Sequence, residues 1–292
     1  MEIIVAKNSG LCYGVRRALN IARETRQKKS GNVYTLGDLI HNPQVIADLK
    51  EHGILSINNL NKLDKATVII RSHGVTPDTY ESLSKKTVTI VDATCPIVKK
   101  IQKLVGILAE KKEEIIIVGN KEHPEIKGLI GFSRGRGIIV ENEAQVKNLP
   151  HKKKRAVLAQ STQDLYLFEK IVAALIKKTE ELKVYNTICH STHTRQKATS
   201  ELASYVDTLF IVGGKNSSNT NKLYQISKRV LPNTHFIENA DQITQEMLKG
   251  AKKIGLSGGA STPPEAIQEA VAKIKTSFKH QFQREKIVQC QR

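Results

Sequence analysis

The sequence contains no tryptophan, and aromatic residues make up only 4% of its 292 positions. Few aromatic faces means few platforms for stacking bases, which argues against a nucleic-acid partner. Long apolar runs are also missing. Nothing approaches the roughly 18 residues that a membrane-spanning helix needs, and the opening MEIIVAKNSG has neither a basic leader nor a cleavage site. The expectation is a soluble, cytoplasmic protein with no membrane partner. Cysteine is scarce: Cys12, Cys95, Cys189 and Cys290 are too few and too widely spaced for a disulfide framework. The paired C-x-x-C ligands of structural zinc sites do not occur, nor does the phosphate-cradling G-x-x-x-x-G-K-[ST]. Acidic residues are in deficit, 28 against 46 Lys and Arg, for a formal charge of +18. That balance favours anionic partners, whether nucleic acid, anionic lipid, a phosphorylated small molecule or an acidic protein, and charge alone does not choose among them. The densest basic run, HKKKR at 151 to 155, reads as a solvated turn ahead of the strand AVLA.

What is present alternates. Short β-branched runs (EIIVA, NVYTL, TVIIRS, VTIVDA, EIIIVG, GIIV, AVLAQ, KVYNTI, TLFIVG, HFIE, KIGLSG) are separated by helical stretches such as GVRRALNIARETRQ and PIVKKIQKLVGILAEK. A hydrophobic fraction of 39% supports real cores. Strand and helix in alternation mean α/β units with mainly parallel sheets. Three small domains are expected, with boundaries near residues 97 and 190: 1–97, 98–190 and 191–280, then a polar tail over 281–292 that includes Cys290.

Three of the cysteines share a position. In EIIVAKNSGLCYGVRRAL, VTIVDATCPIVKKI and KVYNTICHSTHTRQKA a strand ends, a cysteine appears and a helix begins. Helix N-termini present unsatisfied N–H groups and the positive end of the helix dipole, which favour thiolate, the form that binds metal. The bland alternative is three half-buried structural cysteines. Their repeated placement argues instead for Cys12, Cys95 and Cys189 converging on one soft metal or cluster with a position left open.

Other strand ends carry polar groups: His41 in GDLIHNP, His73 in RSHGVTP, His123 and Glu125 in GNKEHPEIKG, Gln160, Ser161 and Thr162 in AQSTQ, Ser217, Ser218 and Asn219 in GGKNSSNTNK, and Ser261 in SGGASTPPEA. Ligands of α/β sheets bind beyond the carboxyl ends of strands, where helix N-termini offer N–H groups to anions. Each Ser, Thr or Asn is equally a helix cap, and the two roles can coexist. His123 and Glu125 flank Pro124 and join an anion donor to a proton-transfer carboxylate. His52, His151, His235 and His280 read as ordinary surface residues. His190 and His193 follow Cys189 without a telling spacing.

Taken together, NSGLCYGVRRAL, GDLIHNPQV, RSHGV, DATCP, GNKEHPEIKG, NTIC followed by TRQ, GGKNSSNT and GGAST resemble the 4-hydroxy-3-methylbut-2-enyl diphosphate reductases, the IspH/LytB family, in order from about residue 10 to about residue 265. The resemblance implies a pseudo-threefold trefoil of three α/β domains around one 4Fe-4S cluster, held by Cys12, Cys95 and Cys189. It implies an allylic diphosphate substrate and reductive loss of its hydroxyl to give isopentenyl and dimethylallyl diphosphate, the last step of the non-mevalonate route. His41, His73, Ser217, Ser218, Asn219 and Ser261 then bind diphosphate, His123 lies close to both ends of the substrate, and Glu125 donates the proton, with a raised pKa. Ser161 departs from the family's usual Thr after the Gln, which leaves open whether Ser161 or Thr162 faces substrate. Reduced ferredoxin or flavodoxin, both typically acidic, suits the basic surface as electron donor. The rival readings are a basic nucleic-acid-associated α/β protein with structural cysteines, and a zinc hydrolase with a three-cysteine site.

Overall fold

A computed structural model describes residues 1–60, 63 and 65–277; the expected polar tail, His280 and Cys290 lie outside the described residues. Each strand is short and apolar, and several are buried end to end. Thr67–Ile70 and Thr208–Val212 have no exposed position at all. Strands covered on both faces by helices have this continuous rather than alternating character.

Among the described residues twelve strands form three four-stranded sheets, parallel throughout. In the first, β2 (Val33–Leu36), β3 (Ile54–Ile57), β4 (Thr67–Ile70) and β5 (Thr89–Asp92) lie in the order β3-β2-β4-β5. In the second, β6 (Glu114–Val118), β7 (Gly137–Val140), β8 (Lys152–Ala159) and β9 (Thr179–Tyr185) lie in the order β7-β6-β8-β9. The third is built from β10 (Thr208–Val212), β11 (Thr234–Ile237) and β12 (Lys253–Gly258), and its last place is taken by β1 (Glu2–Val5), in the order β1-β12-β10-β11.

Numbered within each sheet, all three have the order second, first, third, fourth. The third sheet borrows its fourth strand from the start of the chain. β1 pairs with β12 in the register Glu2 with Lys253 through Val5 with Leu256. β1 therefore lies in the third sheet beside β12 and not beside β2. The α/β class and the parallel sheets are as expected.

Two compact units emerge. One comprises Met1–Tyr13, His41–Pro43 and the chain from His190; the other comprises Gly14–Ile40 and Gln44–Cys189. The core of the first packs Phe210, Val212, Ile254 and Leu256 against Ala266, Ala270 and Ile274 of helix α10 (Pro264–Ser277). In the second unit Ile115 and Ile117 meet Val105 and Leu108 of helix α4 (Pro96–Glu110) on one face of the second sheet. Ile116 and Val118 meet Phe168, Ile171 and Leu175 of helix α7 (Leu165–Ile176) on the other. Among the described residues no helix is long and apolar enough to cross a membrane.

The basic run at 151 to 155 differs from its sequence reading. Lys152, Lys154 and Arg155 are not a turn but the first half of β8, paired in register with Thr179, Glu181 and Leu182. Lys154 Nζ lies 2.8 Å from Glu181, and Arg155 is fully buried with its Nε donating to Glu114 at 2.7 Å. His235 differs too: half-buried rather than superficial, it stacks on Phe210 with ring centroids 5.3 Å apart, and burial lowers its pKa.

Candidate active site

The shared strand order dictates where function can sit. The chain leaves the first strand of each sheet toward one side and resumes with the third on the other, so the two diverge at their carboxyl ends. Such a reversal opens a crevice that ligands of α/β sheets occupy. The polar residues singled out in the sequence fall on these loops. His41 follows the first strand of its sheet and His73 the third; His123 and Glu125 follow the first, Gln160 to Thr162 the third; Ser217 to Asn219 follow the first, Ser261 the third. Each cysteine follows a fourth strand: Cys95 follows β5, Cys189 follows β9, and Cys12 follows β1.

The cysteines stand where helices begin. Cys95 is the residue before α4 with Pro96 in the first turn, Cys12 precedes α1 (Tyr13–Lys28), and Cys189 precedes α8 (His190–Ala203). Main-chain bonds fix each: Cys95 N donates to Ser72 O at 2.9 Å, Cys189 N to Ser161 O at 2.9 Å and Cys12 N to Ala260 O at 3.0 Å. All three are half-buried cysteines outside any disulfide. Three thiols at helix starts offer a soft donor set of the kind that iron–sulfur clusters take, so the residues fit such a group.

In the second unit, α5 (Pro124–Phe132) brings Glu125 into the crevice of the second sheet. Ser161 grips both carboxyl oxygens: its N–H donates to Oε1 and its hydroxyl to Oε2, each at 2.7 Å. Glu125 is only 1% exposed, and burial raises its pKa against the opposing pull of the Ser161 hydrogen bonds. His123 caps the helix, its Nδ1 accepting the Glu125 N–H at 3.2 Å. A ring nitrogen that accepts carries no proton, so neutral His123 is protonated on Nε2. The ring of His73 meets it edge-on with centroids 5.1 Å apart. Gln160 is spoken for by the scaffold, since its Oε1 accepts from Asn120 N at 3.1 Å. It lies so close that a Cβ on Gly119 would stand 2.8 Å from that oxygen, which is why glycine follows β6.

In the first unit, α9 (Ser218–Val230) and α10 both point their N-termini out of the third sheet. Ser217 caps α9, its Oγ accepting from Thr220 N at 3.4 Å, so its capping reading holds. Asn219 is buried and its Oδ1 accepts the Ala260 N–H at 3.0 Å. That bond orients the amide, and the buried Nδ2 has no protein partner. Ser261 donates its hydroxyl to His41 O at 3.0 Å and lies 3.4 Å from Ser217 Oγ. Gly214 permits this closeness, since a Cβ there would sit 2.9 Å from His41 O. The outcome is a cradle of amide and hydroxyl groups at two helix N-termini, suited to phosphate oxygens. Ser218 is half-buried on the first turn of α9 and Thr162 half-buried after Ser161, while His190 and His193 lie exposed on α8.

The family model described as LytB protein matches residues 3–275. The chain belongs to the LytB family. Among its relatives, the 4-hydroxy-3-methylbut-2-enyl diphosphate reductase of Caldanaerobacter subterraneus subsp. tengcongensis is 45% identical, covering 94% of this chain and 97% of that one. The reductase of Aquifex aeolicus is 40% identical over 94% and 96% of the two chains. Among solved structures, a LytB-like fold recurs in the (E)-4-hydroxy-3-methyl-but-2-enyl diphosphate reductase described as the terminal enzyme of the non-mevalonate pathway: 40% identity, TM-score 0.69, 94% of this chain and 99% of that chain. The Plasmodium falciparum E-1-hydroxy-2-methyl-but-2-enyl-4-diphosphate reductase is 28% identical with a TM-score of 0.91, covering 100% and 93%.

Against this LytB framework, sequence reasoning missed several supporting residues. Thr220 and Thr262 wedge the glycine loops of the third sheet, with Thr262 Oγ1 donating to Val212 O at 2.8 Å. Arg195, in the TRQ segment, is 2% exposed and donates to Gly258 O at 2.8 Å. A partial signal existed: Thr262 stands three residues after the pair Gly258–Gly259 and Thr220 six after Gly213–Gly214, whereas Arg195 sits among polar residues that carry none.

Proposed function

We propose that this chain reduces (E)-4-hydroxy-3-methylbut-2-enyl diphosphate to isopentenyl and dimethylallyl diphosphate, the last step of the non-mevalonate isoprenoid route. The observation that carries the reading is Glu125, a fully buried carboxyl with a raised pKa at the crevice of the second sheet. A carboxyl kept neutral by burial is a proton donor. Its loop neighbours and the cradle of the third sheet supply the complementary anion contacts.

In the reaction the allylic C–O bond breaks, the oxygen departs as water, and the allyl fragment takes up two electrons and a proton; a second proton goes to the departing oxygen. Glu125 supplies that second proton, turning a poor leaving group into water. The Nε2–H of His123 is directed to an oxygen of the substrate, its tautomer set by the bond from Glu125 N. Asn219 Nδ2, Ser217, Ser218 and Ser261, with His41 and His73, hold the diphosphate, remote from the breaking bond, and its binding energy orients the allyl group. Ser261 then exchanges its bond to His41 O for a phosphate oxygen. Gln160 and Ser161 act through the scaffold: the first holds the β6 end, the second holds Glu125, which assigns substrate contact in that loop to Thr162.

Cys12, Cys95 and Cys189 would hold one 4Fe-4S cluster. When bound, the cluster delivers the electrons and offers an open iron as Lewis acid. Reduced ferredoxin or flavodoxin is the electron donor, an acidic partner for a chain of charge +18, in the cytoplasm.

The test is iron, acid-labile sulfide and zinc content of protein purified without oxygen, wild type and Cys95→Ala, with turnover of the allylic diphosphate under a chemical reductant. About four iron and four sulfide per chain, lost or unstable in the variant, and dehydroxylation by the wild type support the proposal. Colourless protein after reconstitution, or brown protein that leaves the substrate intact, overturns it.

A further inference from the structure

Helix α8 runs directly from Cys189 and presents its polar side to the protein: Thr192, Arg195, Gln196 and Thr199 are all buried. Two of these reach the third strand of the third sheet. Arg195 Nη1 donates to Gly258 O at 2.8 Å, and Thr199 Oγ1 lies 2.8 Å from Ser257 Oγ while donating to Arg195 O at 2.8 Å. The carbonyl gripped by Arg195 belongs to the residue at which β12 ends and the loop to Ser261 begins.

That loop is pinned on every other side. A Cβ on Gly258 would stand 3.2 Å from Gly10 N, and one on Gly259 would collide with Thr220. Ala260 gives its N–H to Asn219 Oδ1 at 3.0 Å and accepts at its carbonyl from Cys12 N at 3.0 Å. The height of the loop at Gly258 therefore fixes Ala260, and through Ala260 the direction of the Asn219 amide and of Ser261.

A buried guanidinium is costly, and a mere filler would be apolar. The geometry points to Arg195 as a positioning residue for diphosphate binding: by holding Gly258 it aligns Asn219 and Ser261, and its buried charge adds positive potential to the anion cradle. This rests on the cradle reading given above.

The experiment measures pyrophosphate binding by titration calorimetry and steady-state kinetics on the cluster-loaded protein for Arg195→Met, Arg195→Lys and Asn219→Ala. Arg195→Met is expected to raise the pyrophosphate dissociation constant and KM about tenfold, the worth of one charge-assisted hydrogen bond, with kcat and iron content near wild type. Arg195→Lys, which keeps the charge, recovers part of the loss. A lower melting temperature at unchanged dissociation constant and KM makes Arg195 purely structural and overturns the inference. Should Arg195→Met fail to fold, Arg195→Lys decides: a wild-type dissociation constant overturns it, a raised one supports it. If Asn219→Ala weakens binding and the Arg195 variants do not, only the role of Arg195 falls. If all three bind pyrophosphate like wild type, the cradle itself is misassigned and the inference falls with it.

Discussion

Replacing Glu125 by glutamine separates chemistry from architecture, because the site can accommodate the amide without losing a bond. Oε1 of glutamine still accepts the Ser161 N–H now 2.7 Å away, and its NH2 donates to Ser161 Oγ, whose own proton turns elsewhere. Only the transferable proton disappears. Loss of a positioned general acid typically costs 10²–10⁴ in rate, so kcat is expected to fall by about 3–5 kcal/mol of barrier. Stability moves the other way. Burial raises the Glu125 pKa above the ordinary value of 4.5. The folded state thus binds more protons than the unfolded one in the window above that value, and stability falls as pH rises until the folded pKa is passed. Glutamine carries no such penalty. The melting temperature of Glu125→Gln relative to wild type, followed by circular dichroism, should rise as pH climbs above the ordinary carboxyl value of 4.5 and level off past the folded pKa. Turnover within about threefold of wild type, well short of the expected loss, would refute the acid role. A melting temperature below wild type at every pH would mean that the carboxylate is a structural anion.

Ser161→Ala removes the hydroxyl bond that restrains the Glu125 pKa, so the alkaline limb of the pH–kcat profile should move to higher pH, and Ser161→Thr should leave it in place; an unmoved limb in the alanine variant contradicts the assignment. Arg155→Met should cost about 3–5 kcal/mol in denaturant unfolding, because it strands Glu114, Lys178 O and Pro150 O, which now accept at 2.7, 2.9 and 2.7 Å; a loss below about 1 kcal/mol would mean that the buried pair contributes little. Reduction by an acidic ferredoxin should slow steeply between low and physiological salt, and a rate indifferent to ionic strength would remove the steering argument.

The sheets were legible wherever a strand is apolar throughout, as in β4 or β10, since burial on both faces leaves an uninterrupted signal. β3 was not. Its four residues expose Leu55 and Ser56 and bury only Ile54, so it offers neither a run nor an alternation. The basic run ahead of β8 misled for a related reason. Lysines normally mark solvent, but Lys152 and Lys154 lie along a ladder with β9 beside Glu114 and Glu181, and Arg155 is carried inward by four acceptors, Glu114, Lys178 O, Pro150 O and Thr179 Oγ1. Helix α8 likewise buries polar residues, which no hydrophobic period reveals, because its contacts with β12 are hydrogen bonds.

The cysteine plan was readable and the pairing of β1 was not, and both follow from one fact. What repeats along the chain is local: a fourth strand, a short loop, a thiol and a helix, which a reader of letters can find three times. The pairing that makes β1 a fourth strand joins Glu2 to Lys253, and no local pattern carries contacts across that separation. With the third sheet closed by the start of the chain, Cys12 follows its fourth strand as Cys95 and Cys189 follow theirs. The assignment of roles then becomes a property of strand order: crevice loops after first and third strands carry hydroxyls, amides, imidazoles and the buried acid, and loops after fourth strands carry thiols. The second strands lie at the sheet edges beyond the reversal, and none of the candidate site residues follows them. A residue's place in that order therefore identifies Glu125 and Ser161, and Asn219 and Ser261, as partners across one crevice each, although 36 and 42 positions respectively separate them.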